Sequence, residues 1–338
     1  MLSFRHSLCT LTGTAMAFGL GSAAVQAQAP AEFFNGKTLT YVVATAPGGG
    51  YDNYARLITE YMHKNLPGVT IVIRNMPGAG HLIGANYVYS AKPDGLTVGT
   101  FNTGLIYNQL VDRQGTKLDL TKMSWVGKAA SDPRIMIVSA LNNEIKSYDD
   151  LLRKGEPFKS AVSGVGASNY NETQMMMQVL GLNLKPIAGY NGNEDQMAMR
   201  RGEIDLGSGS LSAFEGFIKN NYGKPLFAVG GKTPGIPQLR ELVKNPSKEA
   251  SAIIALIESQ GEISRLTAGP PDIPIDRLNV LRTIYQTALE DPELKERADK
   301  LGLPIEPAYG DTVGALVKVA LDQSPETVAL VTKILNTK

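Results

Sequence analysis

From residue 37 onward the chain alternates runs of β-branched and apolar residues with stretches whose apolar positions recur every three or four residues. Residues 37–46 (KTLTYVVATA) predict a strand, residues 47–50 (PGGG) end it, and Ala55, Ile58, Met62 and Leu66 mark one face of a helix over 54–66. The order then repeats, with a strand at 69–74 (VTIVIR), a loop at 77–80 (PGAG), a helix at 82–91, a turn at Asp94-Gly95 and a strand at 96–101. A chain patterned this way folds as an α/β protein with a mainly parallel sheet.

The pattern restarts at residue 134. Residues 134–140 (RIMIVSA) and 158–163 predict strands, and Ser147 with Asp150 three residues on predicts a capped helix start. Residues 164–168 (GVGAS) open a helix through Met175, Met176, Val179 and Leu180, whose methionine run predicts core packing. A strand at 184–188 leads through 189–193 (GYNGN) into a helix through Met197 and Met199 that ends at Arg201-Gly202. Short strands follow at 204–207 and 226–229, and beyond Ser247 the chain is mostly helical, over 253–257, 278–289, 311–321 and 325–335. Two strand-rich units with a helical tail predict two lobes, residues 30–134 with 229–338 forming the first and residues 135–228 the second. No long charged linker separates them, so short crossing strands must join them.

Composition narrows the chemistry. Apolar residues make up 43% of the 338 positions and charged ones 19%, which excludes disordered and fibrous classes. Lys and Arg number 33 against 32 Asp and Glu, so no uniform basic field exists and no nucleic-acid partner is expected. Cys9 alone makes neither an intrachain disulfide nor a thiolate cage, and with three histidines no metal or cofactor is expected. Residues 1–29 carry Arg5 and His6, a mostly apolar stretch over 8–20 and two A-x-A-like sites before Pro30, which predict a cleavable signal peptide and an exported protein. Thr10, Thr12 and Gly13 break that stretch short of the ~20 apolar residues a membrane span needs. Cleavage would remove Arg5, Cys9 and no acid, leaving a cysteine-free chain of zero net charge, suited to an oxidising compartment.

Candidate chemistry gathers in three glycine loops, 47–52, 77–80 and 164–168. Such a loop opening a helix offers free amides and the positive end of the helix dipole to an anion, beyond the carboxyl ends of the strands. The competing reading is that the glycines serve tight turns and close packing. Enzyme templates fit poorly. Asn53 and Ile83 occupy the last position of a G-x-G-x-x-G fingerprint, no phosphate-loop motif occurs, and Ser208 and Ser210 lack the frame of a nucleophile elbow. His63 falls at a helix end, where it meets the C-terminal dipole, and His81 opens a helix after a glycine loop without a partner at metal spacing.

Taken together, the loops resemble a known family. Residues 43–56 (VATAPGGGYDNYAR), the run Asn75-Met76-Pro77-Gly78-Ala79-Gly80 with Ile83-Gly84-Ala85, and Ala91-Lys92-Pro93-Asp94-Gly95-Leu96-Thr97 resemble elements of the substrate-binding proteins of tripartite tricarboxylate transporters, the Bug receptors. Residues 164–168, 189–192 and Arg201-Gly202-Glu203-Ile204-Asp205 are similar to that family's second-lobe loops. The resemblance implies an α/β two-lobe periplasmic binding protein of type II, a Venus-flytrap joined by two crossing hinge strands. It implies no enzymatic activity and no cofactor. The implied role is a periplasmic receptor that captures a small organic carboxylate (a di- or tricarboxylate or an aromatic acid) and delivers it to a two-component integral-membrane permease; a monomer is expected.

Carried onto this chain, the ligand contacts fall on Gly48, Gly49, Gly50, Tyr51 and Asp52 of the first loop and on Gly164, Gly166, Ala167 and Ser168 of the second, with Gly80, Thr103, Tyr170, Tyr190 and Asn191 near by. Tyr170 stands where the family often has histidine. In this reading backbone amides of residues 49–52 and 166–168 meet the carboxylate, with hydroxyls of Ser168 and Thr103, and no arginine is needed. Asp52 has three open roles: helix cap, acceptor from a bridging water, or acceptor from a ligand hydroxyl or amino group. Two other classes stand beside this one, a sensor feeding a signalling protein and a hydrolase using Asp52 or Ser168.

Overall fold

The computed structural model describes residues 31–336, so the signal peptide expected over 1–29 lies outside the described residues. Two β-sheets organise them. The first contains β1 (Thr38–Val43), β2 (Thr70–Asn75), β3 (Thr97–Phe101) and β4 (Ser124–Lys128); the second contains β5 (Arg134–Ser139), β6 (Phe158–Val162), β7 (Leu184–Ala188), β8 (Leu206–Ser210) and β9 (Gly223–Val229). The chain then returns to the first sheet with β10 (Leu266–Gly269) and β11 (Ala308–Tyr309). The strand orders are β11-β4-β10-β3-β1-β2 and β7-β6-β8-β5-β9.

Both sheets are mixed, which corrects the expectation of mainly parallel pairing. The trios β2-β1-β3 and β7-β6-β8 are parallel, as expected for strands linked by helices, but β10 and β5 run antiparallel to their neighbours. These are the two strands that the chain enters from the other sheet, and they enter in the opposite direction.

Both faces of the central strands are covered, which explains their continuous apolar runs. In β1, Leu39, Tyr41 and Val43 enter one core with residues of helices Gly50–Lys64 and Ile275–Glu290, while Val42 and adjoining Ala44 enter the core on the other face. In β5, Met136 and Val138 face one core and Ile135 and Ile137 the other. The helical tail is shared between the sheets. Helices Lys248–Glu262 and Pro325–Asn336 send Ile253, Ile257, Val331 and Leu335 into a core of the second sheet, so the segment 229–338 does not pack with the first sheet alone. The Ser147 capping box forms, but it starts a short 3-10 turn, Tyr148–Leu152, because Arg153 is already extended.

Two segments cross between the sheets. The amide of Ala129 donates to the Arg265 carbonyl (3.2 Å) and that of Asp132 to the Gly261 carbonyl (2.8 Å), so the crossings are bonded side by side. Among the described residues no helix is long and apolar enough to cross a membrane, and no group of His, Cys, Asp and Glu is placed to hold a metal ion.

Candidate functional site

A cavity of about 90 Å³ lies where the two sheets face each other beside these crossings. Its first wall includes Gly49, Gly50 and Tyr51 at the start of helix Gly50–Lys64. Gly49 is an extended N-cap with no side-chain cap, so the first-turn amides lack a side-chain acceptor and the positive end of the helix dipole lies at the cavity. The second wall carries the hydroxyls of Ser163 and Ser168 and of Ser208 and Ser210 on β8, together with Asp195.

The floor comes from the crossing segments, and sequence reasoning missed it. Arg134, the first residue of β5, donates through Nε and Nη2 to both Glu172 carboxylate oxygens (2.8–3.1 Å), through Nη1 to Ser210 Oγ (2.8 Å) and through Nη2 to Ser168 Oγ (3.2 Å). Arg265 donates through Nη2 to Asp132 Oδ2 (2.7 Å) and Ser212 Oγ (2.9 Å) and lies 4.4 Å and 4.8 Å from the ring centres of Tyr51 and Tyr54. Its Nε is buried without a hydrogen-bond partner among the described residues. Arg265 (φ 60°) and His81 (φ 75°) both line the cavity in the left-handed region, which non-glycine residues populate sparsely and which the surrounding packing must hold.

Glycines of the first sheet's loops abut backbone of the second at several points around this cavity. A Cβ on Gly49 would stand 3.1 Å from Gly192 Cα, one on Gly80 would collide with the Val165 carbonyl oxygen, and one on Gly104 would stand 2.5 Å from the Ser168 amide nitrogen. Close approach, the competing reading of these loops, therefore accounts for Gly80 and for its partners Gly166 and Ala167. The expected second set of anion-binding amides is engaged within the protein: Ser168 N–H donates to Asn102 Oδ1 (2.9 Å) and Ala167 N–H to the Gly164 carbonyl (2.9 Å).

Comparison with known proteins decides the family. Residues 54–334 match the tripartite tricarboxylate transporter family receptor profile, most of the chain. The chain belongs to this receptor family. It is 24% identical over 305 residues to the UPF0065 protein in the tcbD-tcbE intergenic region of Pseudomonas sp. (strain P51), covering 87% of this chain and 85% of that one. In fold it is similar to the periplasmic binding protein BugD (TM-score 0.74, 23% identity, 88% of this chain and 97% of that one). It is likewise similar to MatC from Rhodopseudomonas palustris with bound malate (TM-score 0.71, 20% identity, 87% and 99%). The two-lobe α/β binding-protein fold is thus established, and the family is one of receptors rather than enzymes.

Of the residues expected to touch ligand in this tripartite transporter receptor, Gly49, Gly50, Tyr51, Ser168 and Tyr190 line the cavity. Gly48, Asp52, Gly80, Thr103, Gly164, Gly166, Ala167, Tyr170 and Asn191 are not among its lining residues. Asp52 is filled by donors of its own lobe: Gly48 N–H (2.9 Å) and Arg56 Nε (2.8 Å) on Oδ2, and Arg56 Nη2 (3.1 Å) and Asn75 Nδ2 (2.9 Å) on Oδ1. Burial pushes its carboxyl up, but these donors outweigh that and hold it below the ordinary carboxylate range. Asp52 thus ties the glycine loop to its helix. Tyr170 Oη accepts from Gln174 Nε2 (3.2 Å), and Asn191 N–H donates to Glu194 Oε2 (2.7 Å). Ser168 Oγ accepts from Arg134, a permanent cation that cannot take its proton, so neither residue of the hydrolase reading is armed.

Two titratable groups of the receptor's cavity pull stability in opposite directions with pH. Burial lowers the His81 pKa from 6.5 to about 4, so its contribution is full above pH 6.5 and falls away as pH drops toward 4. Burial raises Asp195 from 3.8 to about 6, so its contribution is full below pH 3.8 and is lost as pH rises through 6. Relative to the wild type, His81→Asn should gain thermal stability on acidification from pH 6.5 to 4, and Asp195→Asn should gain it, by about 1–2 kcal/mol after discounting for partial solvent contact, as pH rises from 4 to 6. Thermal unfolding of the three proteins across this range checks both signs; parallel curves would contradict them.

Proposed function

We propose that this receptor captures a small organic carboxylate between its two lobes in the periplasm and passes it to a two-component membrane permease. The observation that carries the reading is the convergence of two buried arginines and an uncapped helix N-terminus on one cavity between the sheets, with serine hydroxyls on the far wall. An anionic group placed there gains charge-assisted hydrogen bonds. The arginine charges are offset by Glu172 and Asp132, so they orient an anion more than they add net positive charge. Binding across both walls favours the closed arrangement, which a membrane partner can distinguish from an open one. The malate in the similarly folded MatC is consistent with this ligand class. Export rests on the signal features of residues 1–29, and permease delivery rests on the family.

Isothermal titration against mono-, di- and tricarboxylates, aromatic acids, amino acids and sugars tests the reading. Saturable binding of one or more carboxylates, with no turnover of the bound acid, is the expected result. Binding of a neutral sugar and of no acid would overturn it.

A further inference from the structure

The arginines and the helix start account for an anionic group, but they leave unexplained the acceptors on the same cavity. His81 Nδ1 lies 2.8 Å from the Ala44 carbonyl oxygen, which can only accept, so Nδ1 carries the proton of the neutral ring. The lone pair then sits on Nε2, and His81 is among the residues that line the cavity. Asp195 adds a carboxyl on the opposite wall, whose donors are local backbone N–H groups, that of Gln196 lying 2.7 Å from Oδ1. A plain alkyl dicarboxylate offers these acceptors no hydrogen and would leave them facing its methylenes, which is costly in a desolvated site.

Resting on the carboxylate reading, we propose that the ligand bears a hydrogen-bond donor as well as its carboxylate, a hydroxyl or amino substituent that donates to His81 Nε2. His81 is then a specificity-determining residue. Its left-handed backbone, which asparagine tolerates, fixes the ring against Ala44 and aims the selection at the donor instead of the acid group. A hydroxyl leaves the charge of the cavity unchanged, whereas an ammonium group would draw on ionised Asp195.

The test is titration with matched pairs that differ by one substituent: succinate with malate and aspartate, glutarate with 2-hydroxyglutarate and glutamate, and propionate with lactate and alanine. Wild-type protein should bind a donor-bearing member about tenfold or more tighter than its unsubstituted parent. His81→Asn keeps a side-chain N–H for the Ala44 carbonyl and withdraws the Nε2 acceptor, because the shorter carboxamide ends where the near side of the ring stood, so the ratio should fall toward one. A merely structural role would weaken both members equally. Asp195→Asn distinguishes the two donors, because it should weaken an amino ligand much more than a hydroxyl ligand. Equal affinities within every pair, with acids still bound, would overturn the inference and leave the carboxylate reading intact; failure of every acid would overturn both. Should His81→Asn not fold, the wild-type ratios decide alone.

Discussion

Arg134→Met is expected to cost about 3–5 kcal/mol of unfolding free energy. The Arg134 and Glu172 side chains are 7% and 2% exposed, and the guanidinium donates to the carboxylate through both Nε and Nη2. Removing the cation leaves Glu172 charged in an interior that cannot solvate it; protonating it instead carries a comparable cost at neutral pH. The double variant Arg134→Met with Glu172→Met should recover most of the loss, because two apolar side chains need no compensation. Denaturant unfolding of the two variants separates these cases. If the single variant loses less than about 1 kcal/mol, the ion pair is not the keystone of the floor. The recovered double variant should still bind acids poorly, since Arg134 Nη1 and Nη2 also hold the hydroxyls of Ser210 and Ser168.

Gly104→Ala should weaken ligand binding about 5- to 150-fold while leaving each lobe folded. Gly104 opens helix Gly104–Leu110 with ordinary helical backbone, where alanine is intrinsically better by up to about 1 kcal/mol. The added methyl, however, would lie 2.5 Å from the Ser168 amide nitrogen and 2.9 Å from the Ala167 carbonyl carbon, both backbone atoms of the second sheet's loop. The loops must part to admit it, and the closed arrangement bears an overpacking cost of about 1–3 kcal/mol. The same separation would break the Asn102 Oδ1 bridge to the Gly104 and Ser168 amides. Titration and small-angle scattering together check this. A lowered melting temperature with unchanged affinity would mean that this contact persists in the open form and does not govern closure.

Much of the framework was readable in local pattern, because parallel strands buried on both faces and amphipathic helices leave strong periodic signals. The helix over 311–321 and the strands at 134–140 and 184–188 correspond closely to Asp311–Leu321, β5 and β7. β4 (SWVGK) and β10 (LTAG) left no such signal. They are short, contain glycine, and are strands because the neighbouring strands hold them on both sides. The cavity floor was unreadable for a different reason. Arg134 meets Glu172 from 38 positions away and Arg265 meets Asp132 from 133 positions away, so no spacing rule links them. The glycine loops were visible, but glycine marks an anion cradle and a close backbone approach with the same letter. Only the position of the missing Cβ separates Gly80, which meets backbone of the other lobe, from Gly50, which faces the Arg265 guanidinium and lines the cavity.

The most direct measurement is a crystal structure of the protein with the acid that titration identifies. A carboxylate is expected within hydrogen-bonding distance of the Gly50 or Tyr51 amide and of an Arg134 or Arg265 guanidinium nitrogen, with both walls in contact with the ligand. A carboxylate seated elsewhere, or held by one lobe alone, would contradict this expectation.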